Sequence, residues 1–303
     1  MVSALIHVLF ARGLFSAATV RTAAIVGALA AVSASAAGVF TVMRGQSFAG
    51  HALGDVSAAG GSAAFLLSVS PLAGFIGIGA VAAGAISAFG SRGRRARDVS
   101  TGVVLGAGLG LAGLLLYLDT TRSSSTGAAV SVMFGSMFAV APSTLPGIVA
   151  ATGFVLLSVG ALYRPLVISA ASSELASVQG VRVRMAEAGF LGVLVVAVAL
   201  SALTVGAILA TALLIGPAAT AVRVARRPGL AIVIAAAIGV GSTWVAIILA
   251  YDSYYWSSSH AAWPVSFFVV SVIFVTYLAV ELFSAIRSRR AKCHRRQLVG
   301  SAG

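Results

Sequence analysis

The chain has 303 residues, 59% of them hydrophobic and 9% charged, with a formal net charge of +13. A soluble domain carries about 25% charged residues, so this composition excludes an ordinary soluble fold and points to an all-α membrane protein. The positive charge is no sign of nucleic-acid binding, because the arginines gather in short segments between apolar stretches, as the positive-inside rule expects.

Residues 1–21 read as an N-terminal interfacial segment. Arg12 splits its apolar stretch and no cleavage site follows, which argues against a secretory signal. Residues 22–286 form the transmembrane domain, with nine candidate spans at about 22–43, 51–69, 71–90, 101–118, 145–163, 186–204, 206–222, 229–250 and 265–286. Most approach the ~20 residues that cross a bilayer as a helix. Segment 127–141 is apolar but short, and reads as a half-helix or re-entrant element. The expected fold is a polytopic helical bundle of about eight to nine transmembrane helices. Two clusters, Arg92 to Arg97 and Arg164 to Arg184, mark inside loops. So do Arg223 to Arg227 and a basic cytoplasmic tail at 287–303. Nine crossings then put the N-terminus outside and the C-terminus inside. Tyr254, Tyr255, Trp256 and Trp263 fall at the outer interface, where aromatic residues concentrate.

Small residues recur at helix-packing spacing, as in Ala80-x-x-x-Gly84. Gly108-x-Gly110-x-x-Gly113 has dinucleotide-binding spacing, but it follows no strand and lies inside an apolar span, so it reads as a packing surface. Pro217 interrupts one span. It is either a simple kink or, with Gly206, a hinge for the tight hairpin around them.

Much chemistry is missing. The single lysine, Lys292, sits in the tail, so there is no phosphate-binding P-loop and no ATP hydrolysis by that route. No zinc-protease motif or nucleophilic triad is present, and the chain reads as no enzyme. The lone Cys293 allows no internal disulfide, and beside His294 it belongs to the basic tail. Glu187 and Glu281 lie near span ends and read as interfacial groups.

His51 and Asp55 stand out. Ionisable groups inside a span are costly and usually functional. The i, i+4 spacing puts both on one helix face, and imidazole plus carboxylate suits a divalent metal. The structural alternative is a hydrogen bond that packs helices. Two ligands are too few for a transport site, but a two-fold axis would supply two of each. Four such ligands suit zinc, whereas manganese wants further oxygens.

Residues 205–221 contain Gly206, Leu213-Leu214-Ile215, Pro217-Ala218-Ala219 and Ala221. This segment resembles the signature of the metal-type ABC importer permeases, the membrane subunits for zinc, manganese or iron uptake. Gly38-Val39-Phe40 followed by Arg44, Ser47-Phe48 and Gly50 agrees in order, as does Phe134-Gly135. Glu174-Leu175-Ala176 with Gly180 looks like the family's cytoplasmic segment. The likeness spans about residues 13–286.

The resemblance implies a homodimer in a bacterial cytoplasmic membrane, a separate ATP-binding subunit that hydrolyses ATP, and an external metal-binding protein. It implies no permanently bound cofactor, only the transported divalent metal. It places metal ligands at the start of the second span, where the family order is Gly-Asp-Ala-x-Ser-His. Here Gly50-His51-Ala52-Leu53-Gly54-Asp55 exchanges the two ligands and keeps their spacing. The motif's later proline is Ala59, and Ser172 stands where aspartate is common. The resemblance also gives Glu174, Ala176 and Gly180 a role in coupling to the ATPase, against the alternative of a solvated loop. The expected function is divalent-metal import, zinc first, then manganese or iron. The alternatives are an ion-coupled secondary transporter, for which no internal repeat is seen, and a permease for a metal chelate, which has no need of the His51/Asp55 pair.

Overall fold

The computed structural model describes residues 17–90, 94–123, 127–135, 137–171, 183–256 and 263–300. Among them the backbone is helical throughout, apart from short connections. In chain order the helices are α1 (Ala18–Met43), α2 (Ser47–Leu67), α3 (Pro71–Phe89), α4 (Arg94–Ser123) and α5 (Gly127–Phe134). After two 3-10 turns come α6 (Leu145–Ala171), α7 (Val183–Val205), α8 (Ala207–Val224), α9 (Pro228–Trp256) and α10 (Val265–Gly300).

Local chemistry sets the boundaries. Ser68 takes the left-handed conformation that closes α2, and Pro71 occupies the first turn of α3, where its missing N–H costs nothing. Eight described helices are long and apolar enough to cross a membrane, and α2 is not among them. Its 21 residues suffice in length, but His51, Asp55 and many small residues dilute its apolar character. The choice between eight and nine crossings therefore rests on α2. The eight residues of α5 span only ~12 Å, so segment 127–141 is a half-helix followed by turns, as its length predicts.

Three boundaries differ from the sequence expectation. Helix α6 runs on through Arg164 and Pro165 to Ala171, so Arg164 is an exposed helical residue and not part of a loop. Helix α4 starts at Arg94, inside the arginine cluster. The last span continues without a break to Gly300, so the basic tail up to that point is a helical extension. The N-terminal segment up to residue 16 lies outside the described residues.

Helices α1 and α7 form the core: 72% of the apolar window of each is buried, against 22% for α4, α6 and α10. Phe40, Phe190, Leu194 and Leu200 are fully buried between them. The outer helices turn residues such as Leu157, Val103 and Phe283 outward, as a bundle surrounded by lipid requires. Without a hydrophobic driving force between helices in lipid, small residues bring them together. A Cβ on Gly60 would stand 2.0 Å from the carbonyl oxygen of Gly74, so α2 and α3 cross backbone to backbone. Gly108 seats against Val56 of α2, which makes it a packing residue and not a nucleotide loop. Among the described residues Ala80 and Gly84 form no buried packing seam, since both are exposed on α3.

Gly135 and Gly206 form another backbone-to-backbone crossing. Their φ angles are +73° and +95°, open to glycine and strained for other residues. A Cβ on Gly206 would lie 2.3 Å from the Met133 carbonyl oxygen, and one on Gly135 would lie 2.4 Å from the Gly206 nitrogen. The end of α5 thus lies across the corner between α7 and α8. The Ser266 hydroxyl at the start of α10 donates to the Phe134 carbonyl and caps that end.

Candidate functional site

Helix α2 lies between α3, α4, α7 and α8, and most of its surface from Ala49 to Ala64 is buried. One stripe stays open. Phe48 is 44% exposed, and the side chains of His51 and Asp55 are 46% and 16% exposed. Positions 48, 51 and 55 follow helical spacing, so the open stripe is a single face. Thr211 of α8 borders it.

The structure brings the two expected ligands together. His51 Nε2 lies 3.5 Å from Asp55 Oδ2. On the other side of the ring, Nδ1 lies 3.4 Å from the Thr211 hydroxyl. Both contacts are long, so neither His51 nor Asp55 is consumed by the other. Buried polar groups in a finished core are usually bonded at shorter range. Gly54 packs against Val198 of α7 and approaches the Ala207 carbonyl, which places Asp55 beside the start of α8. Among the described residues, no group of three His, Cys, Asp or Glu side chains could hold a metal. The pair therefore offers two ligands from one helix and leaves the remaining coordination positions on its open side.

Thr211 escaped sequence reading because it does not titrate and lies far along the chain. The available signal was its place five residues after Gly206, in the first half of α8. Gly206 itself forms the break between α7 and α8, and Pro217 sits buried in a continuous α8. Glu174, Ala176 and Gly180 lie outside the described residues.

A second set of charges was also missed as a set. Glu187 at the start of α7 pairs with Arg44 after α1 at 3.3 Å and with Arg97 of α4 at 2.8 Å. Arg44 also stacks over the Phe190 ring at 5.3 Å. Burial pushes the Arg44 guanidinium below its usual range, Glu187 pulls it back up, and Arg97 lowers it further. Glu281 pairs with Arg223 at 2.9 Å. Both glutamates thus hold arginines at helix ends.

Comparison with known proteins fits this arrangement. The family described as ABC 3 transport family matches residues 16–281. The chain is 28% identical over 267 residues to the manganese transport system membrane protein MntC of Listeria monocytogenes, covering 88% of this chain and 92% of that one. It is 27% identical over 244 residues to the manganese import system permease protein ScaB of Streptococcus gordonii, covering 80% and 86%. Among solved structures, PsaBC from Streptococcus pneumoniae in complex with Fab aligns with a TM-score of 0.76 at 22% identity, over 89% of this chain and 94% of that one. An inward-facing conformation of a putative metal-chelate type ABC transporter aligns with a TM-score of 0.62 at 16% identity, over 84% of each chain. The bundle of long apolar helices, its glycine-locked corner and the match along most of its length place the chain in one group: it belongs to the ABC 3 transport family.

Proposed function

We propose that this chain is the permease subunit of an ATP-driven importer of divalent metal, with manganese as the cargo. The observation that carries the reading is the open His51/Asp55 stripe on α2, in a family whose curated relatives here are manganese permeases. Zinc, the first expectation, gives way to manganese, the cargo in the names of the relatives MntC and ScaB. The coordination chemistry accommodates the change. Two copies of the pair supply two imidazole nitrogens and two carboxylates. Carboxylates binding through both oxygens bring the donor count to the six that manganese prefers.

A carboxylate and an imidazole facing lipid would be costly, so the stripe needs a cover. A second copy of the chain across a two-fold axis provides one and completes the ligand set. ATP hydrolysis falls to a separate ATP-binding subunit, docked through Glu174, Ala176 and Gly180, and an external binding protein delivers the ion. The N-terminus lies outside and the C-terminus inside. Gly206 and Pro217 let the α7–α8 corner move during alternating access. The chelate reading is weaker because such a cargo arrives with its ligands already filled.

The test is cellular metal content in a strain lacking the gene, restored with wild type or with His51→Ala at equal membrane abundance. Wild type should restore manganese and the variant should not. Full restoration by the variant would make the pair structural, and no response of any metal to wild type would refute the importer reading. Phe48→Cys, made with Cys293 replaced, should cross-link two copies under mild oxidation if the stripe lies on the dimer axis.

A further inference from the structure

A second polar concavity lies where α1 gives way to α2 and where α7 begins. It encloses about 300 Å3, and its lining includes Gln46, Ser87, Arg97, Arg184, Glu187 and Leu191. Its charges do not balance. Glu187 is shared between Arg44 and Arg97, while Arg184 makes no ion pair among the described residues. Among the described residues, three guanidinium groups, those of Arg44, Arg97 and Arg184, thus share this region with one carboxylate. Two polar atoms here are buried without a partner, Arg44 Nη1 and Gln46 Oε1, and Gln46 as a whole is only 8% exposed.

Each feature asks for a particular ligand atom. Positive charge in excess of its one carboxylate attracts an anion, and the partly buried pairs of Glu187 with Arg44 and Arg97 hold that charge in a less screened setting than open solvent. The guanidinium fork matches phosphate oxygens. Gln46 Oε1 is an acceptor in a basic pocket, so the anion should also carry a hydroxyl donor. Part of the lining is apolar, with Ile86, Ala88 and Leu191, and Phe89, between the lining residues Ala88 and Gly90 in the chain, is 72% exposed. An acidic protein segment would favour a polar rim, whereas an amphiphile places its head in the pocket and its chains along such walls. We propose that this cavity binds the phosphodiester head of an anionic, hydroxyl-bearing phospholipid, with Arg97 and Arg184 on the phosphate and Gln46 accepting from a headgroup hydroxyl. The site is separate from the α2 stripe and holds whatever the cargo is.

The test uses the full chain in detergent, with native mass spectrometry and thermal unfolding in the presence of phosphatidylglycerol, phosphatidylcholine or inorganic phosphate. Arg184→Gln removes an exposed arginine outside the ion pairs, so the fold should survive. Wild type should retain phosphatidylglycerol over phosphatidylcholine by roughly tenfold, and the variant should lose about fivefold of that preference, as each basic group near an anionic headgroup contributes ~1 kcal/mol. Equal retention of the two lipids, or a variant that behaves as wild type, overturns the proposal. Stabilisation by inorganic phosphate equal to that by phosphatidylglycerol overturns the lipid assignment in favour of a soluble phosphate. Undiminished lipid preference with weakened capture of the ATP-binding subunit would make the cavity a protein dock and overturn it too.

Discussion

The α2 stripe and the Glu187 node both put ionisable groups into an apolar bundle, and they do so in opposite ways. At Glu187 the carboxylate is held at 2.8 and 3.3 Å by arginines from two other elements. At His51 the contacts are 3.5 and 3.4 Å and one face stays open. The first arrangement uses its charges to join α4, α7 and the chain after α1. The second leaves ligand capacity unused, which is what a site must do if it is to receive an ion and release it. The lesson is that two carboxylates in one bundle can differ in what they still have to offer: Glu187 has each oxygen engaged by an arginine, whereas Asp55 has one long contact beside an open face.

The comparison can be broken from either side. The largest effect should come from Asp55→Ala, with manganese uptake in the complemented strain falling about a hundredfold while thermal unfolding in detergent stays near wild type. A large loss of stability with uptake retained would reverse the two roles. Glu187→Gln should do the opposite. It leaves two arginines without their carboxylate, so stability should fall by about 2–3 kcal/mol, read as a clear drop in unfolding temperature. Thr211→Val should sharpen the comparison: it frees the His51 ring without removing a ligand, so uptake should weaken about tenfold with stability unchanged. Arg223→Ala should change least. Its pair with Glu281 is about half exposed, and such pairs contribute ~0.5 kcal/mol, within the scatter of an unfolding measurement.

The long helices were legible because a bilayer demands runs of apolar residues, and hydropathy reports those runs directly. The half-helix at 127–134 was legible by its shortness, and the His51/Asp55 pair by its rarity. The Glu187 node was not, because its partners come from distant points in the chain and no spacing rule links Arg44, Arg97 and Glu187. Thr211 was hidden for the same reason. Arg164 misled because charge suggested a loop where α6 simply continues, with the side chain exposed and free of any burial cost. Ala80 and Gly84 carried a packing motif, but only the three-dimensional arrangement reveals that both stay exposed among the described residues.

The crossing of Gly135 and Gly206 has a consequence for how the chain is made. Helix α5 is too short to anchor itself across the bilayer, and the corner that locks it in place leaves the ribosome much later, after α6 and α7. During synthesis the earlier half must wait in the membrane with an unfinished seam. A chain ended after Ala171 should therefore leave Ser131→Cys in α5 open to a water-soluble maleimide, whereas a chain extended through Val224 should protect it. Equal labelling of both would mean that α5 settles without the corner.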